Sequence, residues 1–126
     1  MLTSYTLAVR LIASLAALTG LLGVAFAAVG AHVIHDPVAA GHAATAATLQ
    51  MVHALAALLA LTLLRGRTGR AVAALFVAGA ALFAAGVYVH ALGGPSLGPV
   101  APIGGTLLML GWAGLAVAFA THGPRA

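Results

Sequence analysis

Three charge-free stretches, residues 11–35, 37–64 and 71–124, govern what this 126-residue chain can fold into. A bilayer-spanning helix needs about 20 predominantly apolar residues, so the first two stretches each supply one. The third is long enough for two, and Gly93-Gly94-Pro95-Ser96-Leu97-Gly98-Pro99 divides it with a cluster of helix breakers. The pattern predicts an all-α, polytopic membrane protein, a single domain over 1–126 with four transmembrane helices in a compact bundle. The expected spans are roughly 10–32, 43–64, 71–92 and 103–121. His35-Asp36-Pro37 closes the first, because proline disfavours helical geometry in the residue before it.

Composition excludes the soluble classes. Only 5% of residues are charged and 63% are hydrophobic, against about 25% charged in a soluble domain. The mean hydropathy of +1.18 and the pI near 11.4 belong together. The net charge of +4 comes from five arginines scattered among apolar residues. That makes a poor phosphate track, so no nucleic-acid partner is expected. With no cysteine, disulfides and thiolate metal sites are excluded. Arg10 before an apolar run, with Ala25-Phe26-Ala27 behind it, resembles a signal peptide. The run from 11 to 31 has spanning length, however, and reads as the first helix.

Orientation follows from the arginines. Arg65-Gly66-Arg67-Thr68-Gly69-Arg70 falls between the second and third spans and reads as a short loop. Four spans put this loop and both termini on one side, with Arg10 and Arg125, while the sole acid, Asp36, falls on the other. Arginine excess marks the cytoplasmic face, so both termini are expected to be cytoplasmic, in the inner membrane.

Lipid leaves no hydrophobic drive between helices, so small residues that permit close backbone approach mark the contact faces. Gly20, Gly23, Ala27 and Gly30 form a stripe on the first helix, and Gly79 and Gly86 lie seven apart on the third. Gly104, Gly105, Gly111, Gly114 and Ala118 line the fourth. These stripes fit a bundle within one chain. The alternative is an outward stripe that makes a homo-oligomer or docks on a larger membrane complex.

Polar groups at membrane depth are expensive and each requires a partner or a purpose. His53 lies eleven residues from Leu64, roughly 16 Å along a helix and so near the midplane. Gln50 sits one turn away on the same face. The pair reads either as cross-bundle hydrogen bonding or as a small-solute or proton pathway. Trp112 falls deep in the fourth span, and its N–H requires an internal partner, Gln50 or a main-chain carbonyl. Tyr88 lies at the interface. Together with His32 these make the expected buried polar cluster: His32, Gln50, His53, Tyr88 and Trp112. His32, His35, His42 and His90 fall near the outer interface, and imidazole suits zinc, copper and haem iron. A metal or haem site built on them is the second alternative, although no zinc-type spacing is present. His122 in the tail reads as solvated. No span carries Asp or Glu, no Ser-His-Asp set can be assembled, and nucleotide-binding motifs are absent, so no enzyme is expected.

Several strings, in order, resemble one family. They are Gly20-Leu21-Leu22-Gly23 through Val29-Gly30-Ala31-His32, then Gln50-Met51-Val52-His53-Ala54. Leu82-Phe83-Ala84-Ala85-Gly86-Val87-Tyr88 follows, then Pro102-Ile103-Gly104-Gly105 through Gly111-Trp112. Together they resemble the Domain of Unknown Function 423 family across nearly the whole chain. The resemblance implies a small four-helix integral membrane protein, in bacteria an inner-membrane one, without an established activity. His32, Gln50, His53 and Tyr88 match its pattern, whereas His35, His42 and His90 are particular to this chain. Relatives resemble Gly-Ala-His-Gly where Val33 follows His32 here. They carry Tyr-Gln and Tyr-His pairings in place of Leu49-Gln50 and Val52-His53, and Ser and Thr near Gly86 and Ala101 that this chain lacks. The role expected from all of this is non-enzymatic: a structural or accessory subunit, or a bundle that binds lipid or a small ligand.

Overall fold

A computed structural model describes residues 5–124, and these form four helices: α1 (Leu7–His32), α2 (Pro37–Leu63), α3 (Gly66–Ala91) and α4 (Val100–His122). All four are long and apolar enough to cross a membrane. At 1.5 Å per residue the 27 residues of α2 extend about 40 Å, longer than the roughly 30 Å hydrocarbon core.

Each helix begins earlier than hydropathy alone suggests. α2 starts at Pro37 rather than 43 because Asp36 caps it: its carboxylate accepts from the Ala39 N–H at 2.7 Å, and Pro37 takes the first helical position. Asp at the cap and Pro at the first position are a strong start signal, so the same Asp-Pro pair that closes α1 also opens α2. The arginine segment is likewise not a loop. Only Leu64 and Arg65 separate α2 from α3, and Arg67 and Arg70 lie in the first turns of α3. Gly66 makes the reversal with φ +56, and a Cβ at Gly69 would press on the Ala60 and Leu64 carbonyl oxygens at 2.9 and 3.0 Å. Cations at a helix N-terminus oppose the helix dipole by about 0.3–1 kcal/mol, so helix stability does not explain their position. Arg125 lies outside the described residues. α3 ends in a Schellman turn: Gly93 at φ +85 donates to His90, and the Gly94 N–H donates to Val89 at 2.8 Å. α4 tolerates Pro102 because it falls in the first turn.

The helices pack in chain order, α1 on α2, α2 on α3 and α3 on α4, with a slighter α1–α3 contact and no extensive one between α1 and α4. α2 and α3 are therefore the more buried pair, and α1 and α4 lie outermost. The seam of α2 is alanine: Ala43, Ala46, Ala47, Ala54, Ala57 and Ala60 are all buried, at the three-and-four spacing of one helical face. Gln50 and His53 interrupt that seam. Phe76 is the largest fully buried side chain.

The glycine stripes face neighbouring helices of the same chain. A Cβ at Gly23 would meet Met51 at 2.6 Å and the Ala47 carbonyl at 3.2 Å, and one at Gly30 would meet Ala43. Between α3 and α4, a Cβ at Gly79 would meet the Gly104 carbonyl at 2.9 Å, and one at Gly86 the Ala101 backbone. Gly104 lies against the main chain of Phe83 and Gly79, Gly111 against the Phe76 ring and Gly114 against Val72. Gly20 and Gly105 are looser, since a Cβ there finds its nearest neighbour at 3.7 and 3.9 Å.

Two alanine substitutions should therefore have opposite signs. Gly104→Ala forces main chains apart and should lower stability by about 1–3 kcal/mol in detergent unfolding. Gly41→Ala meets nothing within 4 Å and should raise it by about 0.5–1 kcal/mol through the helix preference of alanine.

Candidate functional site

The polar residues of the bundle interior fall into two layers one helical turn apart. In the first, His53 of α2 lies at the level of Phe76 and Trp112, near the middle of α3 and α4. Its Nδ1 is 2.6 Å from the Leu49 carbonyl oxygen, and the Trp112 indole N–H donates to Nε2 at 3.0 Å. A carbonyl only accepts and an indole only donates, so the partners fix a neutral imidazole with its proton on Nδ1. Phe76 closes the layer, with its ring centroid 5.2 Å from that of Trp112 and 5.7 Å from that of His53. Trp112 is not buried, however. Its N–H enters the bundle while 47% of the residue stays exposed, so it faces outward with its polar edge turned in. Its partner is His53, not Gln50 or a carbonyl; the Gln50 oxygen is taken by Tyr88.

In the second layer the Tyr88 hydroxyl donates to Gln50 Oε1 at 2.6 Å, joining α3 to α2. Phe26 of α1 stacks on the Tyr88 ring, centroids 3.8 Å apart and planes within 6°. Tyr88 is thus a buried tie among three helices. Threonine hydroxyls within the helices bond back to their own helix, as Thr19 does to the Leu15 carbonyl at 2.8 Å and Thr106 to that of Pro102 at 2.9 Å. Among the described residues no fully enclosed side-chain polar atom lacks a partner.

His32 does not join this cluster. It is the last residue of α1 and exposed, because the helix carries it out of the packed region before the turn. His35 is exposed in the α1–α2 connection. With α1 ending at His32, the i, i+3 relation between these two does not place them on one helical face. Among the described residues no three His, Asp or Glu side chains stand together as a metal-binding group. The set His32, His35, His42 and His90 is therefore not assembled. His122 is exposed, with Nδ1 2.7 Å from the Thr121 hydroxyl.

His42 and His90 do share a feature that sequence reading missed. A cavity of about 730 Å³ opens at the Asp36 end between α2, α3 and the α3–α4 connection. Asp36, His42, Thr45, His90 and Ser96 supply its polar groups, and Phe83 and Val87 lie among its apolar walls. Its volume is in the range of small-molecule sites. The signal lay in the Gly93–Pro99 segment, which makes a wall as well as a helix break.

A family model described as "Protein of unknown function (DUF423)" matches residues 26–105. The chain belongs to the DUF423 family. No curated protein and no solved structure matches it. The DUF423 match encloses Phe26, Gln50, His53, Phe76 and Tyr88, and also Asp36, His42 and His90 of the cavity; it stops before Trp112.

The His53–Trp112 bond should be measurable by a double-mutant cycle. His53→Leu, Trp112→Phe and the double variant, unfolded in detergent, should give a coupling of about 0.6 kcal/mol, with about 1.7 as the ceiling for such bonds in membranes. Additive effects would mean that the two side chains do not interact.

Proposed function

We propose that this DUF423 protein is a non-catalytic inner-membrane bundle that binds an amphiphile at its Asp36 end. The observation that carries the reading is the cavity there, whose wall mixes apolar side chains with Asp36, His42, Thr45, His90 and Ser96. The length of α2 supports the assignment, since a helix of about 40 Å is longer than the roughly 30 Å hydrocarbon core and the cavity lies at its end. The lining offers one carboxylate, two imidazoles and two hydroxyls, which suits a head carrying both ammonium and phosphate, the chemistry of phosphatidylethanolamine. A proton pathway through Gln50 and His53 has less support: both His53 nitrogens are engaged, and each residue bonds a different aromatic partner.

Binding can be followed by native mass spectrometry with dihexanoyl phosphatidylethanolamine. The wild-type chain should retain it saturably. Ala39→Trp, which fills the cavity, should abolish retention. His42→Leu with His90→Leu should weaken it about five- to tenfold, the loss of roughly one hydrogen bond. Equal retention by all three proteins would overturn the reading.

The same proposal places both termini in the cytoplasm. Arg10, Arg65, Arg67 and Arg70 gather at the opposite end from Asp36, which is the arginine asymmetry of a cytoplasmic face. The chain has no native cysteine. A membrane-impermeant maleimide should therefore label His35→Cys in cells with only the outer membrane opened, and Arg67→Cys only after the inner membrane is breached. Labelling of both in the same step would refute the orientation.

A further inference from the structure

A second cavity, of about 300 Å³, lies between α1 and α3 with α2 at its back. Phe26, Gln50 and Tyr88 form its inner wall, while Leu22, Ala85 and Leu92 at its lip are exposed. It therefore opens sideways, toward the hydrocarbon, where α1 and α3 make only their slighter contact. Its lining is apolar but for Thr19, Tyr88 and Gln50; the two hydroxyls donate to the Leu15 carbonyl and to Gln50, and the third residue points to a ligand. The Gln50 side chain uses Oε1 for Tyr88, and its Nε2 amide group has no partner among the described residues. The amide orientation is fixed by Tyr88, whose phenol proton has no other acceptor there. Gln50 is 5% exposed. Since no fully enclosed polar atom is left unpaired, the amide N–H2 must reach open space, and this crevice is the cavity that Gln50 lines.

A donor at this depth has no water to satisfy it, and leaving it unpaired in hydrocarbon is costly. We infer that the α1–α3 crevice is a binding site for the carbonyl oxygen of an apolar, membrane-dissolved molecule, which accepts the Gln50 amide N–H. This site is separate from the cavity at the Asp36 end and does not depend on it. The carbonyl has two sources in a membrane, a free quinone-like head or the ester of a lipid chain. A carboxylate is disfavoured, because no cation lines the crevice to balance it. At about 300 Å³ the space suits a head or a chain segment rather than a whole lipid.

The chain carries one glutamine and no asparagine, so a ¹⁵N spectrum contains a single side-chain amide pair and it belongs to Gln50. In nanodiscs of ether-linked lipid, titration with a short-chain ubiquinone should shift this pair downfield and saturably, while an alkane of similar length should not. In nanodiscs of ester-linked lipid without quinone, a pair already shifted would assign the carbonyl to the lipid itself. Ala85→Phe fills the lip without touching the Gln50–Tyr88 bond and should abolish either shift, with the backbone spectrum retained. An amide pair indifferent to both carbonyl sources, or moved equally by the alkane, would overturn the inference. So would a shift that persists in Ala85→Phe. Phosphatidylethanolamine retention at the other site should be the same in Ala85→Phe as in wild type, which keeps the two sites distinguishable.

Discussion

Where α3 crosses α4, main chain touches main chain, and the remaining geometry depends on that approach. Gly79 and Gly104 each face the other's carbonyl, and Gly104 also rests on the backbone of Phe83. No hydrophobic force drives helices together inside lipid, so contact this close has to come from dispersion between backbones, which any side chain would prevent. The crossing has a second effect two turns further along α4. Gly111 leaves room for the Phe76 ring, and Trp112, next in sequence, is carried round to the edge of α2. A larger residue at the crossing would lift α4 and withdraw the indole from His53. One steric fact therefore supports both the packing of the α3–α4 pair and the hydrogen bond that ties α4 to α2.

The two polar layers differ in how completely they are closed. His53 has both ring nitrogens occupied by groups of fixed sense, one that only accepts and one that only donates. Both nitrogens are thus committed, and the histidine ties α4 to α2. Gln50 is only half engaged: its oxygen holds Tyr88, and its nitrogen opens on the crevice. Two residues three apart on the same helix, in the same alanine seam, thus present opposite chemistry. The first joins helices, and the second joins helices while keeping a donor free.

Much of this was legible in the sequence. The charge-free stretches and the break at Gly93–Pro99 gave the number and approximate limits of the helices, because burial of a backbone in lipid leaves few other solutions. The helix starts were less legible, since hydropathy registers where the apolar run begins and not where the cap lies. Asp36 followed by Pro37 carries that information, because the same pair that stops α1 caps α2. The glycine stripes were visible as spacing. The α2 seam was not, because in a chain this rich in alanine the buried alanines do not stand out from the exposed ones. Gln50 and His53 were recognisable as interior residues, but their partners depended on axial register. A shift of one turn decides whether Trp112 meets position 50 or position 53, which lies within the uncertainty of any span drawn from hydropathy. His32 was misplaced for a similar reason: it matches the family pattern but stands on the last residue of its helix.

The order of packing also has a consequence for biogenesis. Each helix rests chiefly on the one synthesised just before it, and α1 and α4 need not meet. A segment leaving the translocon therefore finds its principal docking partner already in the bilayer, and nothing has to wait for a distant stretch of chain. Such a local topology keeps loop-closure entropy small. The last helix to emerge, α4, has its main contact with α3, and the indole of Trp112 reaches His53 only once α4 has docked.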